Sequence, residues 1–106
     1  MKIGIDLEKV ERFYKLSPGS ALVKRCFTPA EAAECFAKPN PAQSLAARFA
    51  AKEAYFKAAG PCDYRHAEFL NSPRGLAVRL NGRLARRIHA SVTHTKTDAA
   101  AIVVIE

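Results

Sequence analysis

No apolar run in this sequence approaches the ~20 residues that a membrane-spanning helix requires, and the opening MKIGIDLEK reaches an acid after only three apolar positions. Neither a helical anchor nor a signal peptide is therefore expected, and the cytosol is the expected location. Cysteine is sparse as well. Cys26, Cys35 and Cys62 are odd in number and form no CxxC pair, which argues against a zinc or redox site and for reduced, packed thiols. Acids are scarce: 10 Asp and Glu face 17 Lys and Arg in 106 residues, a net charge of +7. Such a balance calls for an anionic partner, which could be nucleic acid, an acidic protein, a phosphorylated small molecule or a membrane surface. No aromatic-basic RNA-binding pattern or zinc-finger spacing accompanies the charge, and the short clusters Lys24-Arg25 and Arg83 to Arg87 read as solvated helix faces. Repeats and low-complexity segments are absent, and a chain of this length forms one domain, residues 1–106.

What is present is a mixture of strand and helix signals. Ile3, Ile5 and Leu7 alternate with Gly4 and Asp6, the period of a half-buried strand. The next stretch, LEKVERFYKL, spaces Leu7, Val10, Phe13 and Tyr14 at helical intervals, so a strand is expected to hand over to a helix with Asp6 near the junction; Ser17 to Ser20 ends that helix. Thr28-Pro29-Ala30-Glu31 is a capping box opening a helix to about Ala37. Asn40-Pro41-Ala42-Gln43 reads as the same device, opening a long helix that Gly60 and Pro61 close. Beyond it, residues 68–70 and 76–80 read as strands around a turn at 71–75, and residues 82–89 as a short helical face carrying Leu84 and Ile88. Residues 90–95 alternate weakly, and 99–105 form an apolar β-branched run suited to a strand buried on both faces. No regular βαβ repeat emerges, so the class is α+β: a small single domain with an antiparallel sheet packed against a long central helix.

Within that helix, Glu53 lies within roughly 40 to 80° of Leu45, Phe49 and Phe56 at 100° per residue. A carboxylate held against an apolar stripe must be protonated, paired or bound to a cation. An i to i+4 ion pair with Lys57 would suffice; a functional carboxylate is the alternative. Asp6 has the same two readings, a helix N-cap or a ligand, and His94 is either a hydrogen-bonded structural residue or a binding one. Asp6 and Glu53 together suit magnesium, which takes one or two carboxylates and completes its shell with water and phosphate oxygens. Arg48, Lys52 and Lys57 on the same helix supply cations for a polyphosphate.

Three blocks in order, GIDLEKVERF, RFAAKEAYFKA and SVTHTKTDAAAIVVIE, resemble the signatures of the holo-acyl-carrier-protein synthases, the short-chain phosphopantetheinyl transferase family. The resemblance spans the chain. It implies magnesium-dependent transfer of phosphopantetheine from coenzyme A to a serine of an apo acyl carrier protein, releasing adenosine bisphosphate, in fatty-acid or polyketide synthesis. It implies that Asp6 and Glu53 hold the metal, that Arg48 and His94 hold the ribose phosphate of coenzyme A, and that Lys57 holds its pyrophosphate. An acidic carrier then explains the positive charge, with Arg12, Lys15, Lys24 and Arg25 as docking charges. A homotrimer with sites between subunits is implied too. The sequence departs from the family after Gly60, where a glycine-rich loop of the GTGIG kind gives way to the shorter Pro61-Cys62-Asp63-Tyr64. The alternatives are a non-catalytic basic module that binds a carrier protein or coenzyme A, and a nucleic-acid-binding domain; neither needs a pair of metal-binding carboxylates.

Overall fold

Backbone pairing decides the first element. A computed structural model describes residues 1–106. In it β1, Lys2–Lys9, pairs antiparallel with β6, Asp98–Ile105, in unbroken register from Lys2 opposite Ile105 to Lys9 opposite Asp98. A 2.9 Å salt bridge between Lys9 and Asp98 closes the ladder. The strand thus runs past Asp6, and the α-helix expected from Leu7 is replaced by a 3-10 turn, Val10–Phe13, whose Val10 and Phe13 plug the core. Helical spacing at Val10 and Phe13 is satisfied by one tight turn.

α1, Ala21–Cys26, carries the Lys24-Arg25 pair read as a solvated helix face, although no capping signal marked its ends. α2, Pro29–Phe36, starts as expected: the Glu31 amide donates to the Thr28 hydroxyl and the Thr28 amide to the Glu31 carboxylate. α3, Pro41–Ala59, has proline in its first turn, but the Asn40 side chain makes no capping bond, so only half of the expected device is used. Gly60, at φ 101°, closes it.

The remaining strands are β2, Ala67–Ser72, β3, Gly75–Leu80, β4, Arg83–Leu84, and β5, Ile88–His94. They and the terminal strands form two three-stranded antiparallel sheets, β1-β6-β5 and β2-β3-β4, where one sheet was expected. No helix forms over 82–89. Asn81 and Gly82 both have positive φ, 49° and 80°, and turn the chain between the paired Leu80 and Arg83. Asn-Gly is the favoured pair for that two-residue hairpin.

α3 packs against the inner face of β1-β6-β5, and its alanines set the distance. Ala46, Ala47, Ala50, Ala51 and Ala54 are buried. Gly4 is the point of closest approach, since a Cβ there would lie 1.8 Å from the Ala54 carbonyl oxygen. The face of β1 turned to α3 carries Gly4, Asp6 and Glu8, whereas Ile3, Ile5 and Leu7 are 59%, 64% and 65% exposed. The strand period was read correctly, but its apolar side faces outward. Likewise β6 is covered on one face only, leaving Ile102 exposed.

Candidate active site

The approach of α3 to β1 sets two acids far apart in sequence, Asp6 and Glu53, on facing surfaces, where both act on the same neighbour, Glu8. Asp6 follows Gly4 on the inner face, and Glu53 precedes the Ala54 that Gly4 admits. Asp6 is paired within the strand opposite Ala101, which removes the N-cap reading. Glu8, two residues on along the same face, is a buried third acid. Its carboxyl is pushed up to about 7, first by burial and then by the adjacent Asp6, with Glu53 adding to the rise and Arg12 opposing it.

Lys57 pairs with Asp6 rather than with Glu53. Its Nζ lies 3.1 Å from Asp6 Oδ1 and donates to the Ile5 carbonyl at 2.9 Å, with its side chain more than half exposed. Glu53 instead accepts from the Tyr64 hydroxyl at 2.5 Å. With Glu8 ionised, Asp6 Oδ2 is buried with no hydrogen-bond partner, the one such side-chain atom in the chain; Glu8, when protonated, is the neighbouring donor. Buried polar atoms are almost always satisfied, and an exception signals a missing ligand or strain. An unsatisfied carboxylate oxygen near a second carboxylate is the donor chemistry of a hard divalent cation. No three His, Cys, Asp or Glu side chains converge into a fuller cage, and magnesium needs none. Asp6 and Glu53 therefore fit the ion.

Other expected residues lie elsewhere. Arg48 is 5% exposed and donates to Glu34 Oε1 at 2.8 Å, Asn71 Oδ1 at 3.1 Å and the Phe69 carbonyl at 2.6 Å, tying α3 to α2 and β2. Three of its five N–H donors are thus taken up by the frame. Lys52, expected among the cations for a polyphosphate, is fully buried: its Nζ lies 2.8 Å from Glu31 Oε1 and donates at 2.7 Å to the carbonyls of Tyr64 and Ala67. Adjacent helix residues are 100° apart, so Lys52 cannot share the face of Glu53. Burial lowers the pKa of Lys52, and the Glu31 carboxylate opposes that. His94 ends β5, exposed, in the same cross-strand row as Ala99 and Glu8, which sets it at the acidic end of the sheet.

Among the docking charges, Lys15, Lys24 and Arg25 are exposed, the last two closing α1. Arg12 is engaged: it ion-pairs with Glu8 and lies 5.7 and 5.6 Å over the Phe13 and Phe49 rings. Cys26 and Cys35 are packed as expected, but Cys62 is exposed. Tyr64, absent from the candidates read in the sequence, stacks on Phe49 at 5.3 Å and meets Phe56 edge-on at 4.9 Å. Nothing local marks Tyr64, and Glu31 is marked only as a capping residue, not as the buried partner of Lys52. Glu8 was legible by strand period once β1 is carried to Lys9.

The chain matches the model of the 4'-phosphopantetheinyl transferase superfamily over residues 2–104. It is similar to a holo-[acyl-carrier-protein] synthase of Chlorobaculum parvum, with 37% identity over 116 residues covering all of this chain and 98% of the relative. The same enzyme of Moorella thermoacetica is 38% identical over 115 residues, 96% of this chain and 88% of the relative. Among solved structures, the fold resembles the synthase of Neisseria meningitidis with a TM-score of 0.82 at 28% identity, covering 99% and 97% of the two chains. The synthase of Bacillus anthracis in complex with CoA (3',5'-ADP) matches with a TM-score of 0.80 at 29% identity, over 98% and 94%.

Proposed function

The chain belongs to the 4'-phosphopantetheinyl transferase superfamily, and from that premise we propose that it transfers phosphopantetheine from coenzyme A to a serine of apo acyl carrier protein. The serine oxygen forms a bond to the β-phosphorus, the bond from that phosphorus to the adenosine side breaks, and adenosine 3',5'-bisphosphate leaves. The serine proton goes to solvent. The observation that carries this reading is the buried Asp6 Oδ2, which no protein cation or amide engages, on the strand face turned to the helix of Glu53 and beside the exposed ammonium of Lys57.

Asp6 and Glu53 would hold a magnesium ion. When bound, the ion neutralises the charge that develops as the pyrophosphate is cleaved. Lys57 already spans Asp6 and the Ile5 carbonyl, so its ammonium is held where a pyrophosphate oxygen can replace one of those acceptors. His94, exposed at the end of β5, would hold the ribose phosphate. Arg48, by contrast, serves the frame that holds α3 in place. Lys15, Lys24 and Arg25 offer an acidic carrier a set of unpaired charges; Arg12 contributes only as it parts from Glu8. The exposed apolar face of Ile3, Ile5, Leu7 and Ile102 favours an assembly of copies of the chain, a homotrimer with sites between subunits. The same reading takes the cytoplasm as the place of action.

The test is direct. Incubated with coenzyme A, magnesium and apo carrier protein, the protein should raise the carrier's mass by one phosphopantetheine, and EDTA should stop it. Glu53→Gln and Asp6→Asn should each lower transfer by roughly 100-fold or more, the scale of losing an electrostatic stabiliser of the transition state. Carriers of unchanged mass across fatty-acid and polyketide types would overturn the transferase reading.

A further inference from the structure

The segment that replaces the expected glycine-rich loop does not leave a gap in the site. It inserts Tyr64. Three observations converge on that residue. Its hydroxyl donates to Glu53 Oε1. Its ring is held between Phe49, stacked at 5.3 Å and 18°, and Phe56, edge-on at 4.9 Å and 64°. Its carbonyl accepts from Lys52 Nζ at 2.7 Å, and that ammonium is fixed by the fully buried Glu31. Glu31 is fixed in turn by the Thr28 and Phe69 amides, at 2.9 and 2.8 Å. A continuous chain of contacts thus runs from the α2 cap to one oxygen of Glu53.

We propose that Tyr64 is a positioning residue for the Glu53 carboxylate, holding Oε1 through its hydroxyl so that Oε2 is turned to the cation shared with Asp6. The inference rests on the reading of Asp6 and Glu53 as a magnesium pair. A glutamate side chain has three rotatable torsions, and a carboxylate that must rotate into place binds a small, geometrically demanding ion less well than one already set. A partner that hydrogen-bonds a ligating carboxylate supplies that order, and losing such a partner typically costs 10- to 100-fold in metal affinity or activity. The ring does separate work, filling the space between Phe49 and Phe56, so deleting the hydroxyl alone leaves the packing in place.

The test uses the whole protein with coenzyme A and manganous ion, whose binding is read by electron paramagnetic resonance without any turnover. Tyr64→Phe should weaken Mn2+ binding about 10-fold or more and raise the magnesium concentration needed for half-maximal transfer in parallel. Its metal-free melting temperature should stay near wild type, and at saturating magnesium its kcat should recover more than halfway. Tyr64→Leu, which also removes the ring, should lower the melting temperature as well. If Tyr64→Phe binds Mn2+ as the wild type does while Glu53→Gln does not, the positioning role is overturned and the metal pair stands. If Glu53→Gln also binds Mn2+ normally, the metal reading fails, and this inference with it.

Discussion

Arg48 shows how a single residue can carry two incompatible readings until its partners are known. On the helix it stands about 140° from Glu53 by the 100° step, which in sequence terms leaves it free to reach either a substrate or a neighbouring element. The structure fills its donors with Glu34, Asn71 and the Phe69 carbonyl. Removing Arg48 leaves the half-buried Glu34 carboxylate and the buried Phe69 carbonyl without these donors, a loss of about 1–3 kcal/mol. Arg48→Ala should therefore lower the melting temperature and impair transfer from coenzyme A and from dephospho-coenzyme A alike, since the defect lies in the frame rather than in recognition of the ribose phosphate. Steady-state kinetics with both donors, beside a thermal melt, measure it. A variant of normal stability, crippled only with coenzyme A, would return Arg48 to the phosphate. The contrast with Asp6 and Glu53 is instructive, because their blocks place each at an apolar surface where a lone carboxylate needs explaining. Tyr64 and Glu8 carried no such conflict in the sequence, and their roles come from register and from a contact across the fold.

At the scale of elements, the long helix and the terminal strands were legible because each has a period and a punctuating residue, Pro41 and Gly60 for α3. Which face each strand buries was not. The alternation of Ile3, Ile5 and Leu7 invited the apolar side inward, yet the inner side is Gly4, Asp6 and Glu8; period two is symmetric between faces, and only the partner breaks the tie. The Asn81-Gly82 hairpin was overlooked for the weaker helical spacing of Leu84 and Ile88. Gly4 is where these elements meet the chemistry. Adding one methyl there forces the Ala54 carbonyl, 1.8 Å from the new Cβ, and with it the helix turn bearing Glu53, away from Asp6. Gly4→Ala should destabilise the fold by about 1–3 kcal/mol, as overpacking does, and should weaken transfer even at temperatures where the variant remains folded. Gly19→Ala, with nothing within 4 Å of its Cβ, is the control. Denaturant melts and assays at low temperature check both, and an active, fully stable Gly4→Ala would show that the spacing of helix and strand does not set the site.

At the scale of the whole molecule, two surfaces demand different partners. The net charge of +7 attracts an acidic protein through long-range, salt-screened forces. The outer surface of β1 and β6 cannot serve that purpose, because its exposed large side chains are Ile3, Ile5, Leu7 and Ile102. These residues lie together by register, Ile5 opposite Ile102, and a contiguous apolar sheet face on a small domain marks an interface. It also accounts for the sequence of β6, whose uninterrupted apolar run suits burial on both faces although one subunit covers only the inner face. Ile5→Glu tests this, since the side chain points away from the subunit's own core and the substitution leaves that core untouched. A carboxylate in the middle of a desolvated interface would be costly, so if the proposed trimer forms through this face, the wild type should sediment as a trimer and the variant as a monomer. Transfer should fall with dissociation if the sites lie between subunits, and protein concentration should not restore it within the micromolar range. A wild type that is monomeric, or an Ile5→Glu variant that stays assembled and active, would detach this face from the assembly and require another explanation for four exposed aliphatic side chains in one patch.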